Sequence, residues 1–508
     1  MSKSLFKSTS AVSGMTLISR ILGFLRDMIA AQLFGATAAA DAFYVAFKIP
    51  NFMRSLFAEG AFQQSFVPIL SAYHTHQSLT EIKQFTSHVA GCLTSVLIPL
   101  CILGTLGAPL VIHLFAYGLN PERFELATNM LTVMFPYVFF VSLTAFMSSV
   151  LNTFNKFLAP AFTSSILNIC MIFTALYLSP HLLIPIESQS YAVLLAGVLQ
   201  ILFLAPFLHR LHLLSFPRMN WRDPGVKKVL KLLTPSLFGA SVGQISMLIT
   251  TLFASFLPIG SVTWLYYSER LMQFPLGVIS VALATVILPH LSKQHASHDK
   301  KEFKHAFEWG IRCNLLIGTL AMTTLGLMAT PLIATLFKYG KFNITDVLMT
   351  ERSTIAYALG LPAFMLNKIL VNGFFAKQNI KTPVNIGIGI VTLNILFNFM
   401  LIAPLAHAGL ALSATLGQWI NTIILFFILN KHGIYKLESH WIKFLFQLLF
   451  ANGITACLFV YAAHPIAPWL SWSAGERFTH LFFWLMAGTL SYALSLFIVG
   501  VRRKHLRF

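Results

Sequence analysis

Four arginines stand in stretches that are otherwise built for hydrocarbon: Arg20, Arg26, Arg54 and Arg270. A guanidinium keeps its charge at any physiological pH and offers a planar fork that matches phosphate oxygens two at a time. Its chemistry in an apolar setting is therefore the binding of an anionic substrate. Carboxylates accompany the arginines, Asp27, Asp41, Glu59 and Glu269, together with Lys48. The spacing is ordered. Thr9, Ser13, Thr16, Arg20, Gly23 and Asp27 recur at intervals of four and three, which puts them on one face of a helix. Asp41, Tyr44, Lys48, Asn51 and Ser55 form a second stripe, with Arg54 and Glu59 beyond Pro50. Ser236, Gly239, Gly243, Ser246 and Thr250 form a third, and Thr263, Tyr266, Arg270, Gln273 and Gly277 a fourth. At mid-membrane each charge costs about 2.5–3.5 kcal/mol, so four arginines cost on the order of 10 kcal/mol. Two readings offset that cost. In one, the carboxylates neutralise the arginines as a structural network. In the other, an anionic substrate does so. Arg26–Asp27 and Glu269–Arg270 are sequence neighbours that diverge by about 100° on a helix, which disfavours pairing within these segments.

The elements that hold these residues follow from composition. Of 508 residues 56% are hydrophobic and 10% charged, and mean hydropathy is +0.74. A soluble chain would carry roughly a quarter charged residues. Runs of 18 or more mostly apolar residues can cross a core about 30 Å thick. About fourteen are expected, near 8–34, 38–72, 88–115, 126–153, 158–179, 190–208, 229–257, 261–291, 305–337, 348–375, 382–404, 407–430, 440–463 and 477–501. Pro50 and Pro275 should kink the second and eighth. One set of connections, with both termini, holds about 23 basic residues. The alternate set holds only Arg123, Lys338, Lys341 and Arg477. That bias predicts both termini in the cytoplasm.

A repeat is also visible. APLVIHLFAYG (108–118) matches TPLIATLFKYG (330–340), FVPILSAY (66–73) faces ILPHLSKQ (287–294), and LNTFNKFLAP (151–160) resembles VNGFFAKQNIKTP (371–383). Six spans separate the copies, so the halves share one orientation. The expected fold is an all-α polytopic membrane protein with two six-helix bundles, 1–215 and 216–435, related by a parallel pseudo-two-fold. Two additional transmembrane helices follow in 436–508. The stripes belong to spans one, two, seven and eight, equivalent pairs of the two copies. They are expected to converge on a cationic central cavity.

Other chemistries are poorly served. The net charge of +19 is spread over short connections rather than a basic domain, which excludes a nucleic-acid partner. Cys92, Cys101, Cys170, Cys313 and Cys457 lie in apolar runs without CxxC spacing and read as core residues. The seventeen histidines form no HExxH, so no metal site is expected; His74, His76, His209 and His212 read as interfacial. Lys3 and Lys7 resemble a signal-peptide n-region. The helix after them carries charges and lacks a small-residue cleavage site, so a retained membrane helix is expected.

SRILGFLRD (19–27), ADAFYVAFKIPNFMRSLFAEGAFQQSFVPIL (40–70) and YYSERLMQFPLGV (266–278) resemble the signature segments of the MurJ (MviN) family. So do LFKYGKF (336–342), KTPV (381–384) and AGLALSA (408–414), and the likeness runs along essentially the whole chain. The family comprises lipid II flippases of the multidrug/oligosaccharidyl-lipid/polysaccharide exporter superfamily. The resemblance implies the fourteen-helix fold, a required acidic residue at Asp41, and a cationic site of Arg20, Arg26, Arg54 and Arg270. The last two helices should border a groove for the lipid tail. Where the family usually has aspartate before the helix-eight arginine, this chain has Glu269.

The implied activity is transport rather than catalysis. Lipid II, an undecaprenyl-diphosphate-linked disaccharide-pentapeptide, would cross the bacterial inner membrane by alternating access. Its diphosphate would dock on the arginines. Asp41, Asp27, Lys48, Glu59 and Glu269 would serve as gating or ion-pair residues. Membrane lipids are further partners, cell-wall synthesis proteins are candidate ones, and a monomer is expected. No cofactor is implied, and the driving force is left to the membrane potential or a coupling ion. An O-antigen-type flippase is the nearest alternative. A multidrug exporter of the same superfamily would favour buried carboxylates, an enzyme would need larger reactive loops, and a scaffold would not need the stripes.

Overall fold

The computed structural model describes residues 3–57, 61–297, 299–432, 435 and 440–501. Every regular element among them is helical. The chain divides into two compact units, Met1–Gly260 and Ser261–Phe508.

The first unit contains α1 (Lys3–Phe34), α2 (Ala38–Phe57), α3 (Ala61–His76), α4 (Leu79–Leu106) and α5 (Ala108–Phe115). It continues with α6 (Pro121–Met134), α7 (Tyr137–Thr153), α8 (Leu158–Tyr177), α9 (Glu187–Arg210) and α10 (Pro224–Ser255). Local chemistry sets the boundaries. Ser78 and Glu81 form a reciprocal capping box at the start of α4. Asn120 and Asp223 accept from the first turns of α6 and α10, each followed by proline. α1 packs on α8, α2 on α6, and α3 on α7 and α10. The core near the ends of α3 and α4 is aromatic, with Phe66 stacked on Phe62 and Phe85.

The second unit contains α11 (Ser261–Pro275), α12 (Val281–Ala296), α13 (Lys300–Leu327), α14 (Ala329–Phe337) and α15 (Ile344–Ala358). It continues with α16 (Leu361–Phe375), α17 (Lys381–Lys431), α18 (His440–Ala463), α19 (Ile466–Ser471) and α20 (Ala474–Ile498). Pro275 ends α11, and Leu276–Ser280 forms a π-helical turn before α12, so the α-helix of the eighth span is interrupted at that proline. α17 is two helices joined at Ala406, where φ 49° and ψ −130° leave helical space. That junction separates the two spans expected at 382–404 and 407–430.

The repeat is visible in local structure. A helix of 28 residues precedes the short α5 in one copy, and another of 28 precedes the short α14 in the other. Asn120 and Asn343 cap the helices that follow. Pro68 and Pro289 sit inside the equivalent 16-residue helices α3 and α12. Asn155 and Gln378, in the third matched segment, both have φ of 58°.

Eight helices among the described residues are long and apolar enough to cross a membrane. The count becomes nine if α15 and α16, bent by 41°, form one span. Length and apolarity alone therefore do not yield the expected fourteen. α1 and α2 are not among those eight, because their charges lower the hydropathy on which such a count depends. Large apolar side chains are widely exposed, including Leu106, Leu110, Phe446, Leu449 and Phe497, as lipid contact requires and water would penalise. Cys92, Cys101 and Cys170 are buried, whereas Cys457 is exposed on α18.

α18 and α20 meet at Gly488, where an added methyl would overlap the ring of the fully buried Phe459. Gly453, also on α18, has open space at that position. Gly488→Ala should lower the thermal unfolding midpoint in detergent, at a cost of about 1–3 kcal/mol. Gly453→Ala should leave the midpoint level or raise it slightly, since alanine is the better helix former. Equal behaviour of the two variants would contradict this packing.

Candidate functional site

Asp41 lies in the first turn of α2 and is completely buried, at 0% exposure. Its Oδ2 accepts the Gly260 N–H at 2.7 Å and lies 3.6 Å from Nη1 of Arg123. Gly260 has φ of 96°, a backbone state that favours glycine, so the amide can turn to the carboxylate. Arg123 is itself 6% exposed. The Asn120 Oδ1 accepts its backbone N–H and its Nε, while Arg123 Nη1 reaches the Leu257 carbonyl at 3.5 Å. The Ser255 hydroxyl oxygen accepts the Gly118 N–H at 2.9 Å. These bonds fasten the start of α2, the start of α6 and the exit of α10 around one buried ion pair.

α1 carries the second charged group. Arg26 and Asp27 are both buried, and Nε and Nη2 of Arg26 donate to Asp27 Oδ1 at 2.9 and 2.6 Å. The divergence expected for sequence neighbours is thereby corrected. Three methylenes let the guanidinium fold back onto the adjacent carboxylate. Arg26 Nη1 donates to Asn168 Oδ1 of α8 at 3.1 Å, and Asn168 Nδ2 donates to the Ser19 carbonyl. Gly23 faces that same asparagine.

The remaining cations are more accessible. Arg20 is half-buried on α1 and has no hydrogen-bond or ion-pair partner among the described residues. Arg54 is half-buried, and its Nε and Nη2 donate to Asn51 Oδ1 one turn back on α2. Lys48 is buried on α2. On α11, Arg270 is half-buried, donates from Nη2 to the Tyr266 hydroxyl at 3.1 Å, and lies 4.9 Å from that ring's centre. Glu269 accepts from Gln273 Nε2 at 2.7 Å. Glu59 lies outside the described residues, as do the side chains of Thr9, Ser13, Ser236, Gly239 and Gly243.

Arg123, Asn168 and Gly260 belong to these groups without having been singled out by spacing. Arg123 carried a signal nonetheless, as one of only four basic residues in the connections that otherwise lack them. Arg477, another of the four, is also buried. Its Nη1 donates to the Ala334 carbonyl at 2.6 Å, and its guanidinium lies 4.9 Å from the centre of the Tyr339 ring.

Long apolar helices that expose large hydrophobic side chains and bury charged ones define a polytopic membrane protein. The fold agrees with that class. A solved inward-facing multidrug resistance MATE family transporter of the MOP superfamily matches with a TM-score of 0.69 at 15% identity, over 83% of this chain and 98% of that one. A solved structure titled lipid II flippase MurJ, inward closed conformation, matches with a TM-score of 0.80 at 27% identity, over 98% and 99%. The family model described as lipid II flippase MurJ matches residues 30–482. A probable lipid II flippase MurJ of Vibrio cholerae is 40% identical over all of this chain and 98% of its own length. The lipid II flippase MurJ of Burkholderia cenocepacia is 42% identical over 90% of each. The chain belongs to the lipid II flippase MurJ family.

Removing one member of a buried pair strands the other charge, at a cost of about 3–5 kcal/mol. Arg123→Gln should therefore destabilise the first unit strongly, read as a fall in thermal midpoint. Asp41→Asn should cost less, since its amide oxygen still accepts from Gly260. The double variant should be more stable than Arg123→Gln alone, a coupling that a double-mutant cycle measures.

Proposed function

We propose that the chain flips lipid II from the cytoplasmic to the periplasmic leaflet of the bacterial inner membrane, with both of its own termini in the cytoplasm. The single observation that carries this reading is the family match across nearly the whole chain, to relatives at 40% and 42% identity. The chemistry supports it. The diphosphate is the part of the substrate whose oxygens match a guanidinium fork, and Arg20, Arg26, Arg54 and Arg270 are the cations assigned to it. Arg20 is the readiest of these in the state described, being half-buried and without a protein partner among the described residues. Arg54 and Arg270 are also half-buried, and each guanidinium can offer a diphosphate two parallel N–H donors. Arg26 is held by Asp27, so its contribution requires that pair to open or to act as an oriented unit.

Asp41 serves as the gating residue in this reading. Its carboxylate joins the ends of three helices, and breaking that junction accompanies the change of access. Transport here is a cycle of binding and rearrangement, with no covalent chemistry and no cofactor. A cationic site also responds to the membrane potential, at about 2.3 kcal/mol per charge per 100 mV, which makes the potential or a coupled ion the proposed energy source.

The test is complementation. A bacterium depleted of its own lipid II flippase would express this chain, and lipid II exposed on the periplasmic face would be measured. The wild-type chain should restore exposure. Arg270→Ala should lower it on the order of tenfold or more while inserting normally, and Arg20→Lys should remain defective because lysine lacks the bidentate fork. Normal exposure in Arg270→Ala would overturn the diphosphate assignment. No exposure from a well-inserted wild-type chain would move the substrate to another lipid-linked oligosaccharide.

A further inference from the structure

Residues 211–223, which join α9 to α10, combine a fixed backbone with outward-facing apolar side chains. Leu213 is buried in the core that includes Phe85, Leu208 and Val226. The Ser87 hydroxyl donates to the Phe216 carbonyl at 2.6 Å, and the Arg218 N–H donates to the Ser87 carbonyl at 3.1 Å. The Arg218 backbone lies so close to Gly91 that a methyl there would overlap it. At the far end Asp223 caps α10 and lies 2.8 Å from Nδ1 of His88. The strip is thus held along α4 by both backbone and side-chain bonds.

Its outer side chains do not suit water. Phe216 is 90% exposed and Met219 65%, and Leu214 and Trp221 are exposed as well. Beside them Arg210, Arg218, Arg222, Lys227, Lys228 and Lys231 are all exposed. Asp223 is the one carboxylate in residues 209–233, and its charge already faces His88 and the N-terminus of α10. The strip also begins where a membrane-crossing helix ends, since α9 closes at Arg210. Aromatic side chains flanked by lysine and arginine at that depth match the boundary between acyl chains and headgroups.

We propose that this strip is a docking surface for anionic phospholipid headgroups. The guanidinium and ammonium groups pair with lipid phosphates, while Phe216, Met219 and Trp221 enter the acyl boundary. The site is separate from the proposed lipid II arginines, and its occupant is bulk leaflet lipid. Its consequence is to tether the α9–α10 connection to the membrane surface.

The experiment uses the full chain in phosphatidylcholine nanodiscs, with its five cysteines replaced and a fluorophore on Met219→Cys. Phosphatidylglycerol is titrated in, and quenching by a lipid carrying a nitroxide near the headgroup end of its acyl chain is recorded. Quenching should rise with the phosphatidylglycerol fraction, saturate, and weaken in high salt. Adding Arg218→Gln and Arg222→Gln should raise the midpoint of that titration at least about fivefold, given the usual worth of a cation near an anionic surface. Adding Phe216→Ser instead should reduce quenching at saturation and raise the midpoint, since its apolar contact contributes to binding. Quenching that ignores the phosphatidylglycerol fraction, or a midpoint unmoved by loss of both arginines, would overturn the proposal. So would a label reached only by an aqueous quencher at every composition, the behaviour of a surface kept for a soluble partner.

Discussion

A full charge placed among apolar helices must find its opposite, and that requirement organises this molecule. Asp41 is the clearest instance. At 0% exposure it has no water to share its charge, so Arg123 and the Gly260 amide must supply the compensation. The consequences run outward from that carboxylate. Gly260 needs a positive φ to aim its amide, Arg123 needs Asn120 to hold its fork, and Asn120 in the same stroke caps α6. One buried charge thus fixes a helix start, a turn conformation and the exit of a third helix.

The same requirement sorts the cations into two groups. Arg26, Arg123 and Arg477 are buried, and carboxylates, a side-chain amide or helix-end carbonyls take up their N–H groups. Arg20, Arg54 and Arg270 are half-buried and more accessible. The protein thus holds one set of cations compensated within its buried interior and another set nearer its accessible surface.

Much of this was legible in the sequence because membrane helices obey few rules strictly. The all-helical fold followed from apolar runs, the interruption of the eighth span from Pro275, and the repeat from three matched segments whose helices, caps and turns recur in both units. What was not legible depends on side-chain reach and on contacts between helices. The 100° divergence of Arg26 and Asp27 describes their Cβ directions, whereas the ion pair forms at the end of a flexible stem. Asn168 could not be foreseen as a partner, because no spacing rule connects the first span to the fifth. Arg123 and Arg477 were counted as loop charges, since a residue near a helix start reads as solvated until its neighbours are known. A hydropathy count likewise omits α1 and α2, whose charged residues include the buried Arg26, Asp27, Asp41 and Lys48.

The two copies of the repeat also solve one problem by different means, which gives the last helix a structural purpose of its own. The segments that leave α5 and α14 correspond, and each exposes backbone groups that a low dielectric would leave costly. In the first unit the Gly118 N–H is met by the Ser255 hydroxyl of α10. In the second, the Ala334 and Lys338 carbonyls are met by Arg477 of α20, a helix with no counterpart in the repeat. An arginine suits that position because several N–H groups on one planar head can cap two carbonyls at once. A pair of helices added beyond a duplicated core must be anchored to it. Here one anchor is the packing of Trp441, Phe444 and Leu448 into the core with Phe307, and another is a charge that the end of the core helix already required.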